Sequence, residues 1–109
     1  MGVVGRGDVW LTVLDPAIGG EIRKTRPCLV VSPDLINSLG RNFLIVPMTT
    51  GGGRPMSFRP LTDFGGKPGR LLPDQLRSVD RARFVKQLGR IDDATLHATL
   101  TILQQMFAR

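Results

Sequence analysis

Phe43-Leu44-Ile45-Val46-Pro47-Met48-Thr49 is the stretch on which the fold turns. A short apolar run rich in branched residues, bounded by turn formers, reads as a strand rather than a helix. Pro47 has no N–H to give to a ladder, which predicts that this strand lies at a sheet edge or carries a bulge. Upstream, residues 27–32 form a second apolar strand closed by Pro33-Asp34, and residues 8–14 a third, stopped by Asp15-Pro16. The loop between those two, residues 17–25, is charge-rich and contains glycine. Downstream, short extended pieces are expected at 56–59, 69–72, 77–79 and 85–91, with a turn between the last two. Gly51-Gly52-Gly53 and residues 63–69 read as flexible segments between the middle strands.

The period changes after Ile91. Leu96, Leu100, Leu103 and Phe107 fall at i, i+4, i+7 and i+11, one apolar stripe of a C-terminal helix that Asp92 or Asp93 can cap. Many short strands followed by one helix predict a mainly β protein, a small bent sheet or barrel with the helix packed against it. No linker divides residues 1–109, so a single domain is expected.

Composition narrows the function. The 109 residues are 41% hydrophobic and 22% charged, enough for one real core and too apolar for a disordered chain. No apolar run approaches the roughly 18 residues of a membrane span, and residues 1–10 lack the apolar segment of a signal peptide. A cytoplasmic protein is expected. The formal charge is +6, and twelve of the fifteen cations are arginine, which pairs bidentately with phosphate. That skew points to a polyanion such as nucleic acid, although a GC-rich genome would produce it too.

Single residues exclude several chemistries. Cys28 is the one thiol and lies in an apolar strand, so it reads as core; His97 is the one histidine and reads as a surface or boundary residue. Two such residues make no zinc site, and neither a serine elbow nor a nucleotide-binding glycine motif occurs. No metal or cofactor is expected. Catalysis would then run on Arg, Asp, Glu, Thr and Ser. Cleavage of RNA by its own 2′-hydroxyl suits that set, because the substrate carries the nucleophile. The protein need only orient the chain, take up a proton and neutralise phosphoryl charge. The densest polar cluster is Gly19-Gly20-Glu21-Ile22-Arg23-Lys24-Thr25-Arg26-Pro27, holding the only glutamate of the chain, and a solvated hairpin loop is its plain alternative.

Arg6-Gly7-Asp8-Val9-Trp10, Leu14-Asp15-Pro16 and Gly20 through Pro27 closely resemble the opening of the MazF/PemK (Kid) family, toxins of bacterial type II toxin–antitoxin pairs. The similarity continues in order through Val46-Pro47-Met48-Thr49, Asp74-Gln75-Leu76-Arg77 with Val79-Asp80, and Leu88-Gly89-Arg90-Ile91. The resemblance implies an SH3-like barrel of the CcdB/PemK type with a C-terminal helix, acting as a homodimer. It implies metal-independent, sequence-selective cleavage of single-stranded RNA, mRNA included, restrained by a co-encoded antitoxin. By position, Arg26 matches the family's catalytic arginine and Thr49 its active-site threonine, while Asp74 falls where the PemK branch has a proposed general base. Glu21, Lys24 and Thr25 fall in the loop lining the RNA groove, and Gln75 and Arg77 are base or phosphate contacts. The PemK branch has an arginine where this chain has Leu72 and a histidine where it has Gly20. Arg70 is a possible substitute for that arginine, and electrostatic stabilisation is the favoured role of Arg26.

Each residue has a structural alternative: Arg26 paired with Asp8 or Glu21, Thr49 an ordinary strand-end hydroxyl, Asp74 and Asp80 turn caps, Trp10 core. Two other functions compete. One is a gyrase-poisoning toxin of the CcdB type, against which the tryptophan-free C-terminus Gln104-Gln105-Met106-Phe107-Ala108-Arg109 argues. The other is a catalytically inactive RNA-binding relative.

Overall fold

The computed structural model describes residues 3–51 and 55–109, so the expected flexibility at Gly52 and Gly53 concerns residues outside those described. Seven strands form one sheet: β1 Asp8–Val13, β2 Thr25–Val30, β3 Asn42–Thr50, β4 Leu61–Phe64, β5 Lys67–Leu71, β6 Arg77–Asp80 and β7 Phe84–Arg90. A one-turn helix, α1 (Asp34–Asn37), follows Pro33, and α2 (Asp93–Phe107) ends the chain. Short 3₁₀ turns at Pro73–Gln75 and Arg81–Arg83 flank β6. The strand order is β4-β5-β3-β2-β1-β7, with β6 also pairing β3. All pairs are antiparallel.

β3 is therefore the hub, not an edge. It pairs β2 through Ile45, Val46 and Pro47, β6 through residues 42–45, and β5 through residues 48–50. Pro47 is tolerated because N and C=O of one strand residue point to the same side. Its carbonyl accepts Leu72 N at 2.9 Å, so its missing donor faces the gap where β6 gives way to β5, and no ladder bond is lost.

The segment expected to be flexible at 63–69 is a hairpin. Phe64 pairs with Lys67 across Gly65-Gly66, both at positive φ (61° and 76°), the two-residue turn whose twist matches that of paired strands. Residues 56–59, expected to be extended, form a turn closed by Arg59 N donating to Met56 O at 2.9 Å. At Gly69 a Cβ would collide with the backbone carbonyl of Thr49, so the close approach of β5 to β3 demands glycine. The sheet curls into a half-barrel: a Cβ on Gly89 of β7 would touch the Phe64 ring of β4, so the two end strands of the order meet.

Two buried clusters lie on the two faces. Trp10, Leu14, Cys28, Val30, Phe43, Ile45, Val79 and Phe84 fill one, with Trp10 stacked on Phe84 at 5.2 Å between centroids. Val9, Leu29, Val31, Val46, Met48 and Leu71 fill the other, covered by Leu96, Leu100 and Leu103 of α2. Asp92 caps α2 by accepting Thr95 N at 3.0 Å. The apolar stripe is less covered at its end than expected: Phe107, in the last turn, is 70% exposed.

Candidate functional site

Register gathers the predicted residues. In the β2–β3 ladder Cys28 faces Pro47 and Leu29 faces Val46. The β2–β3 pairing stops at Cys28 and Pro47, two residues short of Arg26 and Thr49. Side chains alternate faces along a strand, so Arg26 and Thr49 share the face of Cys28, Pro47 and Ile45. Arg77 opposite Ile45 and Arg70 opposite Thr49 join the same face. The first core cluster thus opens, at one end of the sheet, into a rim carrying arginines and a hydroxyl.

Beside that rim lies a pocket of about 170 Å³ lined by Glu21, Ile22, Pro47, Asp74, Gln75, Leu76 and Arg77. The β1–β2 loop forms one wall, and Gln75 latches it: its Oε1 accepts Ile22 N at 2.8 Å. Lys24 N donates to Asp15 Oδ1 at 2.9 Å, and Lys24 O accepts Leu14 N, closing the base of the loop. Lys24 itself takes a positive φ of 69°, which turns the chain into β2, and it and Thr25 lie exposed beside the pocket. Pro27, Met48, Thr49, Thr50, Phe64, Gly65, Lys67 and Leu88 line a second hollow of about 270 Å³ on the far side of Thr49.

The arginines of the rim are held by neutral acceptors. Arg26 Nε donates to Arg23 O at 3.2 Å, and no carboxylate among the described residues pairs with it. The alternative of an Arg26 ion pair is thereby set aside: Asp8 is taken by Arg90 Nη1 (2.6 Å) and by Gly5 N (2.8 Å), and Glu21 Oε1 by Ile18 N (2.6 Å). Arg77 Nη1 donates to Leu14 O at 3.3 Å. Thr49 Oγ1 accepts Arg70 N at 3.1 Å and donates to Arg70 O at 3.3 Å, so the hydroxyl stitches β3 to β5 as well as facing the rim.

Asp74 is not a turn cap. Both its oxygens accept from Arg59, Oδ1 from Nε at 3.0 Å and Oδ2 from Nη2 at 2.6 Å. The Arg59 hydrogen bonds hold its carboxyl below the ordinary carboxylate value against a smaller opposing effect of partial burial. Asp80 does cap a turn, accepting Ala82 N at 2.8 Å. Sequence reasoning missed Arg59, because its partner lies 15 residues away and the segment between read as strand and loop. Leu72 is buried and cannot reach the rim. Cys28 is core, its thiol pushed up to about 12 chiefly by burial, and His97 is exposed on α2. Among the described residues, no three His, Cys, Asp or Glu side chains gather as a metal site, and no helix is long and apolar enough to cross a membrane.

Known proteins share both sequence and shape with this chain. Residues 5–107 match the family described as PemK-like, MazF-like toxin of type II toxin–antitoxin system. Over 100 residues the chain is 37% identical to Endoribonuclease PemK of Escherichia coli, covering 87% of this chain and 75% of that one. It is 34% identical over 100 residues to Endoribonuclease MazF9 of Mycobacterium tuberculosis, covering 84% and 85%. The crystal structure of MazF from Deinococcus radiodurans matches with a TM-score of 0.84 at 27% identity over 97% of each chain. A MazE–MazF crystal structure from the same organism matches at 0.74 and 30% identity over 96% of each.

Proposed function

The chain belongs to the PemK-like, MazF-like toxins of type II toxin–antitoxin systems, and we propose that the Arg26–Thr49 rim is where it cuts single-stranded RNA. It is an endoribonuclease toxin. The observation that carries the assignment of the site is the pocket that brings Glu21, Asp74, Gln75 and Arg77 together beside Pro47 of β3.

The reaction needs no metal. The ribose 2′-oxygen attacks the adjacent phosphorus, the bond to the 5′-oxygen breaks, and a 2′,3′-cyclic phosphate and a 5′-hydroxyl result. One proton leaves the 2′-hydroxyl and one reaches the departing 5′-oxygen, so no water is consumed. Arg26 stabilises the charge that builds on the phosphoryl oxygens through its fork of N–H donors. Thr49 contributes its hydroxyl by exchanging the long bond to Arg70 O for one to phosphate. Two carboxylates line the pocket. Asp74 has both oxygens engaged and a depressed pKa, which makes it a weak base. Glu21 has Oε1 engaged and no partner on Oε2 among the described residues, and is the better acceptor for the 2′-proton. Lys24, Thr25, Gln75 and Arg77 contact the RNA on either side. Gln75 does so with its amide NH₂, its carbonyl being committed to the loop.

The active form is a homodimer of this one domain in the cytoplasm, held silent by a cognate antitoxin. The MazE–MazF structure, 30% identical in sequence, supports that pairing. The test is digestion of a long mixed-sequence RNA by purified protein in excess EDTA, with both ends of each product mapped. Discrete cuts bearing 2′,3′-cyclic phosphate and 5′-hydroxyl ends are expected. Cuts that require added metal, or that leave 5′-phosphates, overturn the mechanism. No cutting at all by folded protein turns the assignment to gyrase poisoning and then to an inactive RNA binder.

A further inference from the structure

Arg59 is fixed on several sides. Asp74 chelates its Nε and one N–H of Nη2. The Phe58 ring lies under it, 5.7 Å from the guanidinium carbon to the centroid. Its backbone is pinned as well: Arg59 N donates to Met56 O at 2.9 Å, Arg70 Nη1 donates to Arg59 O at 2.8 Å, and Leu71 N donates to Pro60 O at 3.0 Å. Arg70 is itself bonded to Thr49, and Asp74 lines the pocket with Glu21 and Arg77. Arg59 thus sits between the two halves of the proposed site, tethered to each.

A guanidinium has five N–H donors arranged along two bidentate edges. Asp74 occupies the edge formed by Nε and Nη2. The edge formed by Nη1 and the outer N–H of Nη2 has no hydrogen-bond partner among the described residues, on a side chain 19% exposed. A phosphodiester presents two non-bridging oxygens with the spacing that such an edge chelates. Resting on the ribonuclease reading, we propose that Arg59 is a phosphate-binding residue of the RNA groove, chelated by Asp74 on one edge and presenting the other to the RNA backbone. Asp74 is then a positioning residue: it fixes the fork at no rotamer cost to binding and carries no contact to the substrate.

The experiment titrates a fluorescein-labelled, fully 2′-O-methylated RNA of mixed sequence, which cannot be cut by 2′-attack, against wild type and variants across a salt series. Each phosphate contact on a single strand contributes about 0.7 to the slope of log K on log salt. Arg59→Ala is expected to weaken binding about tenfold at low salt and to flatten the slope by about 0.7. Arg59→Gln, which keeps a donor for Asp74 without the charge, is expected to flatten it equally and serves if the alanine variant does not fold. Asp74→Asn is expected to keep the wild-type slope while slowing single-turnover cleavage about tenfold. A folded Arg59 variant with the wild-type slope and affinity overturns the inference. Cleavage by wild type in EDTA, run alongside, separates the two readings. Cutting with an unchanged Arg59 slope removes Arg59 alone, a flattened slope without cutting keeps Arg59 and removes the nuclease, and neither cutting nor binding removes both.

Discussion

Replacing Arg26 by alanine separates catalysis from folding, and the structure sets both magnitudes. The side chain is half-buried and makes one described hydrogen bond, from Nε to Arg23 O at 3.2 Å, with no ion pair to lose. Such a bond contributes about 1 kcal/mol. A domain with at least about 5 kcal/mol of stability therefore stays more than about 99% folded. Unfolding can then account for about one part in a hundred of any activity loss. Removing a preorganised donor from a developing oxyanion costs about 10²–10³-fold in rate, and Arg26 offers the phosphoryl oxygens a fork of donors, so the upper end is expected. The assay is single-turnover cleavage of an end-labelled RNA in EDTA, beside thermal unfolding and antitoxin binding of the same preparation. Loss of about 10³ in rate, a midpoint within about 8 °C of wild type and intact antitoxin binding are expected. Arg26→Lys, which keeps the charge and loses the fork, should fall between. Cleavage by the alanine variant within tenfold of wild type, in protein shown to be folded, refutes the assignment.

Gly69→Ala drives a methyl into the Thr49 carbonyl, backbone against backbone, and should cost about 3 kcal/mol, which unfolding in urea measures; loss of less than about 1 kcal/mol contradicts the close β3–β5 approach. Cys28, with its thiol raised to about 12, should expose about one thiolate in ten thousand at pH 8 and react with a disulfide reagent only as the protein unfolds. Asp74 has a carboxyl pKa lowered by Arg59, so its stabilising contribution is complete above the ordinary value of 3.8 and is lost as pH falls through the lowered one. Unfolding midpoints of wild type and Asp74→Asn should therefore converge as pH drops below about 4, and parallel curves would show that the pair adds nothing.

Where the chain was legible, local and global preferences agreed. The apolar runs around Val30 and Ile45 had no other use than buried strands, and the 3.6-residue stripe with Asp92 in front of it had none other than a capped helix. Two of the misreadings, at Pro47 and Arg59, share one cause: a local rule overridden by a partner distant in sequence. Pro47 marks an edge only if its nitrogen faces a ladder, and whether it does depends on where Leu72 arrives. The β4–β5 hairpin was hidden by Asp63, Pro68 and three glycines, although Gly65-Gly66 is itself a hairpin signal. Arg59 could not have been found, since nothing in its own neighbourhood distinguishes it from a solvated cation; only the fold brings Asp74 to it. Arg26 and Thr49, by contrast, came from the family resemblance, and strand alternation puts them on the face of Cys28 and Pro47.

The chemistry of the rim follows from how its cations are restrained. A carboxylate fixes an arginine and offsets part of its charge; a backbone carbonyl fixes it and leaves the charge whole. Arg26 is bonded to Arg23 O, Arg77 to Leu14 O, and Arg70 to Arg59 O. Arg59 and Arg90 instead pair with carboxylates, those of Asp74 and Asp8. The rim is thereby both rigid and positive, which is what orientation of a phosphodiester and stabilisation of its extra charge require together. The preference for arginine over lysine acquires a mechanical reason. A carbonyl can take one edge of a planar guanidinium and still leave a fork for phosphate, whereas an ammonium held the same way offers a point charge with no plane to aim. Lysines at these positions would gather RNA without setting the angle of attack.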